Sequence, residues 1–235
     1  MKHDDKVNLI CIPYSGGSFY SYNGLQKCLD DFINFVPVEL PGRGKRFSAT
    51  LLTNIHDMVN DMFVQIKQFF NTPYAIYGHS LGAMLGYLLV RKIVKEKMTE
   101  PLHLFFSGRE APSVKNKERN IHLLPKTAFI EKLIEYGGMP DELLKEKELL
   151  DFFEPVIRAD FRAYETWQYE PDKPFDIPLT VIIGSDENIT HQEAMAWQEI
   201  TKRKITLKTF PGNHFFIFNY LPDMGRIISD TLRFI

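Results

Sequence analysis

The stretch that decides the fold runs from Tyr74 to Gly82 and reads Tyr-Ala-Ile-Tyr-Gly-His-Ser-Leu-Gly. Its first four residues alternate aromatic and aliphatic side chains, which is typical of a buried strand. Gly78, Ser80 and Gly82 follow in a G-x-S-x-G pattern, and an apolar helical segment comes directly after them. A serine on so tight a turn needs glycine two residues before and after it, because larger residues would clash. The context predicts that Ser80 is a nucleophile; a plain Gly-Ser loop is the alternative.

Length and composition set the class of protein. The chain has 235 residues, 44% hydrophobic and 25% charged, which fits one large α/β domain or two small ones. A net charge of −2 gives no support to a nucleic-acid partner. Cys11 and Cys28 have no metal-ligand spacing and indicate a reducing compartment. We expect a cytoplasmic protein without metal or membrane association, because the amino terminus is polar and no long apolar run occurs.

Strands and helices alternate along the chain, which predicts an α/β fold with a doubly wound, mostly parallel sheet. Apolar runs predict strands at residues 7–12, 35–40, 74–77, 102–106, 179–183 and 205–210. Helical periodicity predicts helices at residues 20–31, 54–70, 81–98, 191–201 and 223–235. We therefore expect one domain over residues 1–235.

Residues 109–172 differ in character, because they carry charge-rich helical patterns and no convincing strand. The patterns predict helices at residues 126–136, 141–153 and 155–167. A helical insertion of this length between two strands of a parallel sheet predicts a lid over the site. An elaborated crossover connection is the alternative reading.

A serine hydroxyl is a weak nucleophile and needs a base, which an acid in turn orients. Of the seven histidines, only His214 lies in a loop directly after a late strand, so His214 is the predicted base. Asp186 and Glu187 are adjacent in the loop after the preceding strand, at the same sheet edge. Asp186 is the predicted acid and Glu187 the alternative. The order serine, acid, histidine is that of the α/β hydrolases.

Two further features fit the stabilisation of an oxyanion. Gly16 and Gly17 follow the first strand, where backbone must approach a substrate carbonyl closely. The helix that begins after Ser80 directs free N–H groups and the positive end of its dipole toward the same place.

Six motifs carry a resemblance that extends over nearly the whole chain. They are Cys11-Ile12-Pro13-Tyr14-Ser15-Gly16-Gly17-Ser18, Glu39-Leu40-Pro41-Gly42-Arg43-Gly44, Gly78-His79-Ser80-Leu81-Gly82, Tyr136-Gly137-Gly138-Met139-Pro140, Arg158-Ala159-Asp160-Phe161 and Pro211-Gly212-Asn213-His214-Phe215. The chain resembles the type II (editing) thioesterases that accompany non-ribosomal peptide synthetases and polyketide synthases.

The resemblance implies a Ser80, Asp186 and His214 triad, with oxyanion amides from Leu81 and Ser15. It also implies a substrate that is an acyl group on the phosphopantetheine arm of a carrier protein, as in antibiotic biosynthesis. We expect a monomer without a cofactor of its own.

The loop that carries the acid departs from the family pattern. One residue separates Gly184 from Asp186 where the family usually has two, so a count from the glycine selects Glu187. The spacing to Trp197 favours Asp186. Asn213 stands where the family usually has a second glycine, which a turn tolerates.

Rival functions share some or all of these residues. A thioesterase that releases fatty-acyl chains would use the same catalytic groups, and a small-molecule carboxylesterase would prefer oxygen esters. A binding module without activity would not need Ser80 and His214. Four basic residues of the insertion are candidates for contact with an acidic carrier, although a solvated charged face is the plainer reading: Lys115, Lys117, Arg119 and Lys126.

Overall fold

A computed structural model describes residues 6–115, 117, 119–137 and 147–235. Its centre is a sheet of six parallel strands in the order β2-β1-β3-β4-β5-β6. The predicted α/β class and doubly wound sheet are confirmed. The strands are β1 (Val7–Ile12), β2 (Ile33–Pro37), β3 (Tyr74–His79), β4 (Leu104–Ser107), β5 (Leu179–Gly184) and β6 (Thr206–Phe210).

Helices connect the strands and cover both faces of the sheet. They are α1 (Asn23–Gln26), α2 (Ile55–Ile66), α3 (Leu81–Lys95), α4 (Lys126–Glu135), α5 (Lys147–Glu165), α6 (His191–Met195) and α7 (Leu221–Arg233). Short 3-10 helices occupy Gly44–Arg46, Lys67–Phe69, Ile121–Leu123, Ala196–Glu199 and Phe216–Phe218. None of the helices in the described ranges is long and apolar enough to cross a membrane.

The predicted helix over residues 20–31 is wrong in extent, because only the four residues of α1 are helical. Its flanks close as tight turns instead. The Asn23 N–H donates to the Tyr20 carbonyl at 3.1 Å, and the Cys28 N–H donates to the Leu25 carbonyl at 2.9 Å. Each of these hydrogen bonds joins residues three apart, whereas an α-helix joins residues four apart, so the flanking segments form turns and do not extend the α-helix.

Two hydrophobic cores lie on opposite faces of the sheet because side chains alternate along each strand. Ile10 and Ile76 belong to the core that also contains α2 and α3. Leu9 and Tyr77 belong to the core that also contains α7. This two-sided burial explains why the strands read as apolar runs without polar alternation.

The helical insertion between β4 and β5 contains α4 and α5. The predicted helices at residues 141–153 and 155–167 form one helix where they are described, since α5 runs through Pro155. Glu154 and Arg158 form an ion pair across the proline, and Val156 and Ile157 are buried, so contacts on both sides offset the missing N–H donor. Gly138-Met139-Pro140 and the start of the predicted helix at 141 lie outside the described residues.

The strand order reverses between β1 and β3, and this is where parallel α/β sheets bind ligands. The loops after β1, β3, β5 and β6 all leave the sheet at its carboxyl edge. The chain therefore delivers the loops that contain Ser15, Ser80, Asp186, Glu187 and His214 to one side of the molecule.

His103, just before β4, gives the fold a predictable sensitivity to acid. Its Nε2 atom lies 2.9 Å from the Thr180 hydroxyl, and burial lowers the pKa of His103 to about 4. The unfolded chain binds this proton below about pH 6.5, whereas the folded chain binds it only near pH 4. The free energy of unfolding therefore falls as the pH falls through this window, by about 3 kcal/mol at pH 4.

A His103→Asn variant should lose this contribution, since the amide keeps a polar group near Thr180 but does not titrate. We expect urea unfolding between pH 7 and pH 4 to show a flatter decline in the variant. The difference between the two curves isolates His103 from every other titrating group. Equal declines in the two proteins would contradict the assignment.

Candidate active site

The backbone at Ser80 is held in a conformation that few residues adopt. Ser80 has φ 56° and ψ −118°, which is strained for a residue with a side chain. A β-carbon on Gly78 would lie 2.2 Å from the Gly82 carbonyl oxygen, and one on Gly82 would lie 2.2 Å from the Ile12 carbonyl oxygen. The Ser80 N–H donates to the Ser107 carbonyl at 2.8 Å. These contacts show why both glycines are needed, and they fix Ser80 between β3 and α3.

His214 is oriented by a buried carboxylate. Its Nδ1 atom lies 2.6 Å from Glu187 Oε1, and the Glu187 side chain is only 2% exposed. The other carboxylate oxygen accepts the Gly184 N–H at 2.6 Å, so Glu187 is held at both oxygens. An ionised carboxylate only accepts hydrogen bonds, so Nδ1 carries the proton. Nε2 is then the basic nitrogen.

The predicted pairing of His214 with Asp186 is corrected by this geometry. The Asp186 side chain is exposed and accepts a hydrogen bond from the Ser185 hydroxyl at 2.7 Å. The Asp186 N–H donates to the Gly212 carbonyl at 3.0 Å, which ties the loop to the segment before His214. That bond fixes the backbone so that the next residue, Glu187, turns inward. Glu187 had been the alternative.

The signal that selects Glu187 was present in the sequence. Counting from Gly184 at the end of β5 places the acid at Glu187, whereas the spacing to Trp197 favoured Asp186. The count from the strand end is the better guide, because the strand and not the following helix fixes where the loop begins.

Ser80 and His214 line the same cavity, which has a volume of about 390 Å³. Asp186, Glu187, Ser15 and Leu81 line it as well, so the structure brings every predicted site residue to one place. Among the described residues no hydrogen bond joins the Ser80 and His214 side chains. Such bonds are often long in serine hydrolases until substrate binds.

Two residues that line this cavity, Leu81 and Ser15, are the predicted donors to an oxyanion. Leu81 is the first residue of α3, and the first N–H groups of a helix have no partner within it. Ser15 lies in the turn after β1, and the structure gives its N–H no acceptor among the described residues. Both donors are therefore available to a ligand beside Ser80.

His79 packs against His214, a contact that the sequence analysis missed. The two rings lie 4.8 Å apart, and His79 is fully buried with its Nδ1 atom 3.0 Å from the Ser107 hydroxyl. Burial, and then the neighbouring His214, hold the pKa of His79 well below its usual value. His79 is therefore neutral near pH 7 and places no positive charge beside His214. Its position inside G-x-S-x-G did not reveal this contact.

The helical insertion forms the wall of the cavity opposite the sheet. The insertion contributes apolar and aromatic side chains and an equal number of charged ones. The apolar and aromatic residues are Val114, Ile121, Leu133, Tyr136, Ile157, Phe161 and Tyr164, and the charged residues are Arg109, Glu110, Lys115, Lys117, Lys132, Glu135 and Glu165. The Arg109 guanidinium stacks 3.8 Å from the centre of the Tyr164 ring. The cavity thus has the predicted catalytic groups at the sheet edge and a wall of mixed apolar and charged side chains opposite them.

The basic residues of the insertion are partly engaged within the chain. The Lys117 ammonium group donates to the Asn188 carbonyl at 2.8 Å and pairs with Glu193 at 3.0 Å. Lys126 forms an ion pair with Asp151. These contacts favour the reading of a charged face that is satisfied within the fold.

Comparison with known proteins identifies the family. The model of the thioesterase domain family matches residues 7–232. The chain belongs to the thioesterase family. It is 35% identical to the gramicidin S biosynthesis protein GrsT of Aneurinibacillus migulanus, over 98% of this chain and 90% of that protein. The predicted resemblance to the type II thioesterases is therefore confirmed.

Solved structures agree with this thioesterase in sequence and in fold. ClbQ from the colibactin NRPS/PKS pathway superposes with a TM-score of 0.92 at 33% identity, covering 97% of this chain and 98% of ClbQ. The type II thioesterase BorB from the borrelidin biosynthetic cluster superposes with a TM-score of 0.86 at 31% identity, covering 98% of this chain and 93% of BorB.

The two neighbouring carboxylates should differ sharply in their effect on thioester hydrolysis. Glu187→Gln keeps the size of the side chain but removes the charge that holds the His214 tautomer. We expect it to lower kcat by about 10²- to 10⁴-fold. Asp186→Asn is the matched control and should change kcat by less than about threefold, because the Asp186 side chain is exposed and hydrogen-bonds to the Ser185 hydroxyl and not to His214. Steady-state rates with a soluble acyl thioester measure both, and a larger loss in Asp186→Asn would contradict the pairing.

Proposed function

We propose that the thioesterase hydrolyses acyl thioesters carried on the phosphopantetheine arm of carrier proteins, and that it removes misloaded or stalled acyl groups during non-ribosomal peptide or polyketide synthesis. The observation that carries the proposal is the Glu187–His214 pair beside Ser80 in one cavity. The family and the names of the relatives support the choice of substrate.

Acylation is the first half of the proposed reaction. The Ser80 hydroxyl oxygen attacks the thioester carbonyl carbon, and its proton passes to His214 Nε2. Glu187 keeps Nδ1 protonated and stabilises the imidazolium that forms. The amides of Leu81 and Ser15 donate to the oxyanion. When the carbon–sulfur bond breaks, the leaving thiolate takes the proton from His214, and the acyl group stays on Ser80 as an ester.

Deacylation returns the enzyme to its starting state. A water molecule gives one proton to His214 and attacks the ester carbonyl of the acyl-Ser80. The same two amides stabilise the second oxyanion. The carbon–oxygen bond to Ser80 then breaks, Ser80 regains its proton from His214, and a carboxylic acid leaves.

The names of the similar solved structures support a substrate on a long tether. ClbQ is described as belonging to an NRPS/PKS pathway and BorB as a type II thioesterase of a biosynthetic cluster. In such pathways the acyl group hangs from a thin phosphopantetheine chain. The cavity lies between the sheet edge and the insertion, and we propose that such a chain enters there and that the insertion acts as a lid.

The oligomeric state, the need for a cofactor and the cellular location are proposed from features of this chain. The chain supplies a nucleophile, a base, an acid and two amide donors for the proposed steps, and we propose that it acts as a monomer without a cofactor of its own. Cys11 and Cys28 are free thiols, which supports a reducing cytoplasmic location.

The substrate class is tested by comparing two acetyl thioesters, one on a phosphopantetheinylated carrier protein and one on a short soluble thiol. We expect kcat/KM to be more than about tenfold higher for the carrier-bound form, because carrier contacts add binding energy. Ser80→Ala should lower both rates by several orders of magnitude.

Each alternative outcome points to a different error. Equal rates on the two thioesters, or faster cleavage of acetyl oxygen esters, would contradict the carrier substrate while leaving Ser80 chemistry intact. A preference for long fatty-acyl chains on the carrier would favour a chain-releasing enzyme. Near-normal hydrolysis by Ser80→Ala would overturn the mechanism.

A further inference from the structure

A buried ion pair joins two motifs that the proposed mechanism does not use. Arg43, in the loop after β2, donates from Nη1 and Nη2 to the two carboxylate oxygens of Asp160, at 2.7 Å each. Asp160 belongs to α5 in the insertion. Its side chain is 0% exposed and that of Arg43 is 3% exposed. Burying two charges is costly, and an apolar pair of similar volume often stabilises a fold as well.

Besides the two Arg43 nitrogens, the Asp160 carboxylate binds a backbone N–H group of the loop after β1. Asp160 Oδ2 accepts the Gly16 N–H at 2.8 Å. Gly16 has φ +75°, and a β-carbon there would lie 2.7 Å from Ile157 Cγ1. Ile157 and Asp160 are three residues apart and so share one face of α5. One turn of the insertion therefore holds Gly16 by a hydrogen bond and by packing.

Gly16 lies in the turn that presents the Ser15 amide. The turn is closed by the Gly17 N–H, which donates to the Tyr14 carbonyl at 2.8 Å. Because the peptide is planar and trans, fixing the Tyr14 carbonyl also fixes the Ser15 N–H on the opposite side of that plane. The closing bond sets the shape of the turn. Two contacts tie the turn to the rest of the molecule: the Gly16 N–H donates to Asp160, and Arg43 Nη1 donates to the Gly17 carbonyl at the longer distance of 3.5 Å.

A second buried carboxylate holds the same loop at a different point. Glu39 accepts the Phe19 N–H at 2.8 Å and the Lys45 N–H at 2.7 Å. Phe19 lies outside the turn from Tyr14 to Gly17. Of the two carboxylates, Asp160 alone contacts the turn itself, and it alone comes from the insertion.

We propose that Asp160 is a positioning residue for the oxyanion hole: its contact with the Gly16 N–H orients the Ser15 amide, so the hole is complete only when α5 is seated on the sheet edge. This inference rests on the proposed function, in which the Ser15 amide stabilises the oxyanion. Arg43 supports Asp160 by neutralising its charge and holding both of its oxygens.

The test compares two double variants that both lack the ion pair. They differ only in whether the side chain at position 160 can accept a hydrogen bond from the Gly16 N–H. Arg43→Met/Asp160→Asn keeps a carbonyl oxygen for the Gly16 N–H, whereas Arg43→Met/Asp160→Leu offers none at similar volume. We expect the Leu variant to have a kcat about 10- to 100-fold lower than the Asn variant. The reason is that misalignment of an oxyanion donor lowers kcat by at most as much as removal of that donor does. KM should be similar in the two.

A second measurement separates positioning from general loosening of the fold. A hexyl trifluoromethyl ketone adds to the Ser80 oxygen and leaves an oxyanion in the hole. Its affinity should fall by the same factor as kcat, while thermal unfolding temperatures of the two double variants stay close. Equal kcat and equal ketone affinity in the Asn and Leu variants would overturn the inference.

Single Asp160→Asn serves if either double variant does not fold. Its one acceptor must serve both Arg43 and the Gly16 N–H, so kcat and ketone affinity should both fall; unchanged values would overturn the inference. Failure of the proposed function looks different, because the unaltered protein would then show no Ser80-dependent thioester hydrolysis. If the unaltered protein shows Ser80-dependent hydrolysis and the Asp160 variants have unchanged kcat and ketone affinity, only the positioning role of Asp160 is contradicted.

Discussion

The close approach of three backbone segments at Ser80 is the constraint on which the site depends. Gly78 lies against Gly82, and Gly82 lies against the end of β1, each at a distance that excludes a β-carbon. This contact forces the strained φ of Ser80 and starts α3 directly beneath it. It also brings the turn after β1, with Ser15, beside Ser80. A larger residue at either glycine would separate β3, α3 and β1, and would displace the proposed nucleophile together with the Leu81 and Ser15 amides.

Buried carboxylates fix the remaining parts of the site. Glu187 is held by the Gly184 amide and orients His214, while Glu39 and Asp160 each accept backbone N–H groups from the loop after β1. Loops are usually the most mobile part of a fold, and hydrogen bonds to charged groups are stronger than neutral ones. The thioesterase therefore secures its catalytic loops with charge-assisted bonds to backbone, which hold the donors in place before substrate arrives.

The sequence predicted most of the fold, because hydrophobic period and glycine position are local signals. Such signals indicated α3 and the six strands, although β2 lies at Ile33–Pro37 and not at the predicted residues 35–40. The predictions that the structure corrects concern features that depend on contacts between distant segments. The expected helix at residues 20–31 shortened to α1, α5 continued through Pro155, and the inward carboxylate was Glu187 and not Asp186. Likewise, the contacts of Asp160 with Gly16 and of His79 with His214 join distant residues, which no local pattern encodes.

The central claim is that the acyl group passes through Ser80 with His214 as the base. The most direct measurement mixes the enzyme with an acylated carrier protein, quenches in acid within milliseconds to seconds, and maps the mass of each peptide. We expect an acyl group on the peptide that contains Ser80, which then disappears at the rate at which free acid forms. An acyl group on another residue, or turnover with no acylated Ser80 peptide at any time, would contradict it.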